Sequence, residues 1–136
     1  MIFVDTSAWF ALVVPTDPCH NMAKSWLMQN KIRLITSDYV VDEILTLLKM
    51  RGEYTRALSL GEAFFETDIV EIYHLSETDI LEAWRMFRDF SDKGWSFTDC
   101  SSKVIMDNSG ISKAFALTSI SSNSGILTYC LLPKRW

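Results

Sequence analysis

An α/β fold built around a mainly parallel sheet is predicted by two features of the sequence. Short apolar runs of strand length, such as Ile2 to Val4, alternate with longer segments of helical spacing. Capping and stop residues stand between them, so each element has its own beginning and end. At 136 residues the chain is expected to form one domain, residues 1–136, large enough for a real core and too small for two comfortable ones.

The elements follow in order. Ile2 to Val4 reads as a short buried strand and "TSAWFALV" as a helix, after which Pro15 and Pro18 punctuate the chain. From about Pro18 to Asn30, Met22, Ala23, Trp26 and Leu27 draw one apolar stripe on a second helix. "IRLITSD" is a second strand ending in Ser37 and Asp38, both good N-cap residues, so a helix is expected to start near Tyr39. That helix, "YVVDEILTLLKMRG", carries Val40, Val41, Ile44, Leu45, Leu47 and Leu48 on one side and stops at Gly52. "EYTRALSLGEAFFE" continues as another helix, and "DIVEIYHL" alternates as a strand should. "SETDILEAWRMFRDF" opens with a capping box, Ser76 and Asp79, before a stripe of Ile80, Ala83, Trp84 and Phe87. A last helix is expected from Thr98 to about Asn108, then strands at "KAFALT" and "LTYCLLP".

Composition narrows the function classes. No apolar run approaches the roughly 20 residues that cross a bilayer, and an acid stands where a signal peptide carries bases, so a soluble cytoplasmic protein with no membrane partner is expected. Cys19, Cys100 and Cys130 are too scattered for a disulfide framework or a zinc site. The net charge of −4, from 13 bases and 17 acids, argues against a broad nucleic-acid surface held by phosphate contacts alone. It leaves room for an enzyme that reaches a phosphodiester through metal ions.

Three acids fall at the carboxyl edge of the expected sheet, where function gathers in such folds. Asp5 ends the first strand, Glu43 lies early in the "YVVDE" helix, and Asp99 begins the last helix. Glu43 has Tyr39 and Leu47 one turn away on either side, whereas Asp42 has Asp38 and Thr46; Glu43 therefore edges the buried face and Asp42 looks to water. Each acid taken singly also has a plainer role. Asp99 could satisfy the amides of its helix N-terminus, Asp5 could bond to the amides of Ser7 or Ala8 in an Asx turn, and Glu43 could be an ordinary amphipathic-edge residue. Taken together, three close carboxylates would repel unless a cation neutralised them, and Mg²⁺ or Mn²⁺ accepts such oxygen ligands. The matching chemistry is phosphodiester hydrolysis.

The stretches "VDTSAWFAL", "TSDYVVDEILTLL" and "SFTDCSSKVIM" resemble the most recognisable segments of PIN-domain proteins, in particular VapC-type ribonuclease toxins. The likeness runs in order over almost the whole chain, including "FALT" and "LLP" near the end. The resemblance implies a three-layer α/β/α sandwich, endonucleolytic cleavage of RNA dependent on Mg²⁺ or Mn²⁺, homodimers and inhibition by a small antitoxin protein. It makes Asp5, Glu43 and Asp99 the catalytic metal ligands and Thr6 and Ser7 groups that help order the metal or its waters.

One departure stands out. The family places a fourth aspartate shortly after the strand "AFALT", but here the stretch is "SISSNSG", and no Asp or Glu occurs from Asn108 to Trp136. Ser119, Ser121 or Asn123 could hydrogen-bond a metal-bound water, although a neutral oxygen does not replace a negative ligand. A site for one ion, with weakened cleavage, is expected. The alternative is a degenerate PIN-like binding module without nuclease activity. A receiver-type phosphoacceptor would want an acidic pair after the first strand and a haloacid-dehalogenase-type phosphatase a D-x-D, and "VDTS" supplies neither. His20 and His74 lack any metal or triad spacing and are expected to be structural or surface groups. Trp9, Trp26, Trp84 and Phe87 sit at helical positions suited to core or dimer contacts.

Overall fold

A computed structural model describes residues 1–117, which run β1 (Ile2–Val4), α1 (Thr6–Val13), α2 (His20–Gln29), β2 (Leu34–Ser37), α3 (Asp38–Met50), α4 (Tyr54–Glu66), β3 (Glu71–Tyr73), α5 (Glu77–Asp89), α6 (Phe97–Ser109) and β4 (Ala114–Phe115). A single 3₁₀ turn, Ser91–Lys93, links α5 to α6. The strand expected at "LTYCLLP" and the residues Ser119, Ser121 and Asn123 lie outside the described residues.

The strands pair in the order β3-β2-β1-β4, and every pairing is parallel. Phe3 faces Ile35 on one side and Ala114 on the other, so β1 is central. The chain steps outward from β1 to β2 to β3, then returns across the sheet to place β4 on the free side of β1. Because parallel crossovers are right-handed, this reversal puts α1 to α4 on one face and α5 and α6 on the other. The result is the three-layer α/β/α sandwich. Its reversal point, between β1 and β4, is the topological switch at which such sheets bind ligands outside their carboxyl ends.

Cover on both faces explains why β1 and β2 are buried along their whole length rather than alternating, whereas β3 at the edge begins with an exposed Glu71. Ile2, Phe3 and Val4 are all buried, as are Leu34, Ile35, Thr36 and Ser37. Thr36 is accommodated because its hydroxyl donates to the Val4 carbonyl (2.8 Å) and accepts from the Trp9 indole N–H (3.3 Å). Trp9 meets Phe64 edge to face, and Trp26 stacks on Phe115 with ring centres 3.9 Å apart, so both tryptophans pack against the sheet as core contacts. His20 is structural, its Nδ1 donating to the Ala11 carbonyl. Cys19 and Cys100 are buried free thiols whose pKa burial pushes up.

Caps define the helices. The Ser37 hydroxyl accepts from the Val40 amide, which starts α3 one residue before the expected Tyr39. Gly52, at φ +75°, takes the left-handed conformation after α3 that other residues avoid. The stripe expected on α5 is buried in only one place. Ala83 is sealed against Cys100 and Val104 of α6, while Trp84 and Phe87 are 49% and 42% exposed. Their burial requires a neighbour on the outer flank of α5, and among the described residues none lies there.

Candidate active site

Asp5 follows the last residue of β1 and caps α1. Its backbone N–H donates to the Phe115 carbonyl, which pins it beside β4, and its Oδ1 accepts from the Thr6 amide at 2.9 Å. The plainer role open to Asp5, bonding local amides, is thus performed at Thr6, and the Ala8 and Trp9 amides bond to the Asp5 carbonyl. The carboxyl group is buried, at 8% exposure for the residue, at the switch point of the sheet.

Its two hydroxylic neighbours divide their duties. The Ser7 hydroxyl accepts from the Leu117 amide at 2.9 Å, so it ties the start of α1 to the chain leaving β4. The Thr6 hydroxyl is buried and has no hydrogen-bond partner among the described residues. A buried polar group left in that state costs on the order of 1–3 kcal/mol, so among the described residues this hydroxyl lacks a structural explanation.

Glu43 lies in the second turn of α3, half-buried, while its neighbour Asp42 is exposed. That is the orientation expected from the helical neighbours of each. Asp99 is also half-buried, at the third position of α6. Its Oδ2 accepts from the Ser96 backbone N–H at 2.9 Å, and its own N–H donates to the Ser96 hydroxyl at 3.0 Å. The plainer role open to Asp99, satisfying its helix terminus, is therefore one it performs. The N-terminal turns of α3 and α6 meet through Tyr39 and Phe97, whose rings are 6.0 Å apart. Since α1 and α3 start directly after β1 and β2, all three acids belong to elements that begin at one edge of the sheet.

Sharing an edge is not the same as forming a cage. Among the described residues, no group of three or more His, Cys, Asp or Glu side chains could hold a metal ion as it stands. In kind, the donors suit a hard divalent cation, because carboxylates and a hydroxyl with no partner among the described residues are the oxygen ligands Mg²⁺ and Mn²⁺ accept. A groove of about 620 Å³ lined by Val13, Glu53, Arg56 and Leu60 contains none of the three acids.

Ser96 was not singled out from sequence, and Asp38 was read only as a helix cap. Ser96 repeats in "SFTD" the pattern of "SETD" at Ser76, so its cap was legible. Asp38 receives the amides of Tyr39 and Leu75 and lies 3.7 Å from His74, fixing the exit of β3. No local pattern announces the Leu75 contact, because 37 residues separate the partners.

The PIN domain family matches residues 2–115. The 23S rRNA-specific endonuclease VapC20 of Mycobacterium tuberculosis, from strains CDC 1551 / Oshkosh and ATCC 25618 / H37Rv, is 31% identical over 127 residues, covering 93% of this chain and 96% of the relative. The crystal structure of Mycobacterium tuberculosis VapC20, described as a sarcin–ricin loop cleaving toxin, superposes with a TM-score of 0.82 at 30% identity, over 88% of this chain and 91% of that one. With its reversed parallel sheet, its acids at the switch-point edge and these likenesses over nearly its full length, the chain belongs to the PIN-domain family.

Proposed function

We propose that this protein is an endoribonuclease of VapC type, the toxin of a toxin–antitoxin pair, which hydrolyses RNA phosphodiester bonds with one Mg²⁺ or Mn²⁺ bound by Asp5, Glu43 and Asp99. The observation that carries the reading is Asp5, buried at the switch point of a PIN fold beside a Thr6 hydroxyl that has no partner among the described residues. A structural hydroxyl would be satisfied within the protein, whereas one reserved for a water or a substrate oxygen would be left open.

When bound, the ion supplies positive charge against a phosphoryl oxygen and lowers the pKa of a coordinated water. The protein's own groups do the rest. Asp5 is held by the Thr6 amide and by β4, so its carboxylate needs little ordering when ligand arrives. Glu43 approaches from the half-buried side of α3, where the loss of water strengthens its attraction to a cation. Asp99 keeps one oxygen on its helix cap. The Thr6 hydroxyl orients a water, and Ser7 steadies the segment leading from β4, with Ser119 a supporting oxygen beyond it.

The substrate proposed for the first assay is a structured RNA loop, the sarcin–ricin loop of 23S rRNA, because a relative of 30% identity is described as cutting it. A small antitoxin protein is the proposed inhibitor. A homodimer would give Leu81, Trp84 and Phe87 of α5 and Phe90 at its end, exposed together, the cover that no described residue supplies. Incubation of the protein with that loop and with unrelated structured RNAs, in Mn²⁺ and in EDTA, tests the enzymatic reading. Metal-dependent cleavage lost in Asp5→Asn, Glu43→Gln and Asp99→Asn supports it. Absence of any variant-sensitive cleavage across the set leaves a degenerate PIN-like binding module, the alternative that the missing fourth acid favours.

A further inference from the structure

The chain contains the same capping device twice, and the two copies differ in one respect. At α5, Asp79 is almost wholly buried with both oxygens engaged: Oδ2 accepts from the Ser76 amide (3.0 Å) and the Tyr73 hydroxyl (2.8 Å), and Oδ1 lies 3.5 Å from the Asn108 amide group. At α6, Asp99 gives Oδ2 to the Ser96 amide in the same way, but its Oδ1 receives no hydrogen bond from the described residues. The first box closes on itself; the second leaves one carboxylate oxygen open while the other fixes the side chain. That is how a supporting group orients a ligand without competing for it.

We infer that Ser96 is a positioning residue of the active site, holding Asp99 by its cap so that Oδ1 is presented to the metal ion. The inference rests on the metal-bound reading of Asp5, Glu43 and Asp99. It goes beyond that reading by assigning the two Asp99 oxygens different tasks and by naming the residue that separates them. Two bonds make the cap. The Ser96 hydroxyl holds the first turn of α6 through the Asp99 amide, and the Ser96 N–H holds Oδ2 directly.

A graded series separates these contributions. Ser96→Thr keeps both bonds, Ser96→Ala keeps only the N–H bond, and Ser96→Pro keeps neither, at a position whose φ of −70° already suits proline. Mn²⁺ binding is measured by calorimetry on the metal-free protein, with thermal melts in EDTA to establish folding. Affinity is expected to be unchanged in Ser96→Thr, reduced in Ser96→Ala and about tenfold weaker in Ser96→Pro, the lower end of what loss of an orienting group costs a metal site. Ser76→Ala, which damages the closed box at α5, should lower the melting temperature and leave Mn²⁺ affinity untouched.

Wild-type affinity in folded Ser96→Pro overturns the positioning role; should that variant not fold, wild-type affinity in Ser96→Ala does so. If Asp99→Asn loses Mn²⁺ binding while the Ser96 variants keep it, the positioning role falls and the metal site stands. If the wild type binds no Mn²⁺, the metal site falls and the positioning role falls with it.

Discussion

Tyr73→Phe removes one hydroxyl and should weaken the protein in a way that depends on pH. Burial by itself would raise the Asp79 pKa, but hydrogen bonds from the Ser76 backbone, the Tyr73 and Ser76 side chains and the Asn108 amide outweigh it and hold the pKa below the ordinary carboxylate value. The group is therefore ionised in the folded protein at pH 7 and accepts a charge-assisted bond of 2.8 Å from Tyr73. Loss of a hydrogen bond to a charged group costs about 1.5–3 kcal/mol, and the lower figure applies because Ser76 and Asn108 still serve the carboxylate. The sign follows from the depressed pKa. Asp79 contributes stability that is fully present above the unfolded carboxyl value of about 4 and is lost as pH falls through its folded value. Urea unfolding at pH 7 should show Tyr73→Phe destabilised by about 1.5 kcal/mol, shrinking as the pH drops below the carboxylate range. On the alkaline side the bond to Asp79, with burial second, raises the Tyr73 pKa. Wild-type stability should then fall as pH rises above about 10, and the variant should lack that loss. A destabilisation that is the same at acid and neutral pH, or absent at neutral pH, would refute the assignment.

Three further outcomes are expected. Thr36→Val leaves the Trp9 indole N–H without its acceptor, so thermal unfolding should show a loss of about 1–3 kcal/mol with the helical circular dichroism retained. Thr6→Val removes a buried hydroxyl that has no partner among the described residues. In EDTA it should therefore melt at or above the wild-type temperature, while its RNA cleavage in Mn²⁺ falls, a combination that a purely structural threonine would not give. Chelation of divalent metal by EDTA should abolish cleavage, and added Mn²⁺ should restore it, as read on a labelled RNA by gel.

Much of the sheet was legible because its signals are local. The apolar run at Ile2 to Val4, the Ser37 cap and the Ser76–Asp79 box each lie within a few residues and appear where expected. The stripe on α5 was only half legible. Periodicity tells which residues share a face, but not whether another element covers that face, so Ala83 is buried while Trp84 stays in the open. At the site, the edge was readable from the order of elements and the orientation of Glu43 from its neighbours. The bond from Leu117 to Ser7 was not, since its partners lie 110 residues apart, nor was the lack of a partner for Thr6 among the described residues. Nor does spacing along the chain determine whether carboxylates on a common edge turn toward one another; their rotamers answer to caps and ligands, as the Ser96 bond to Asp99 illustrates.

The most direct measurement is anomalous diffraction from crystals soaked in Mn²⁺. The expected result is one ion about 2.0–2.3 Å from oxygens of Asp5, Glu43 and Asp99, with Asp99 contributing Oδ1. Manganese peaks confined to other carboxylates, with these three left without an ion, would contradict it.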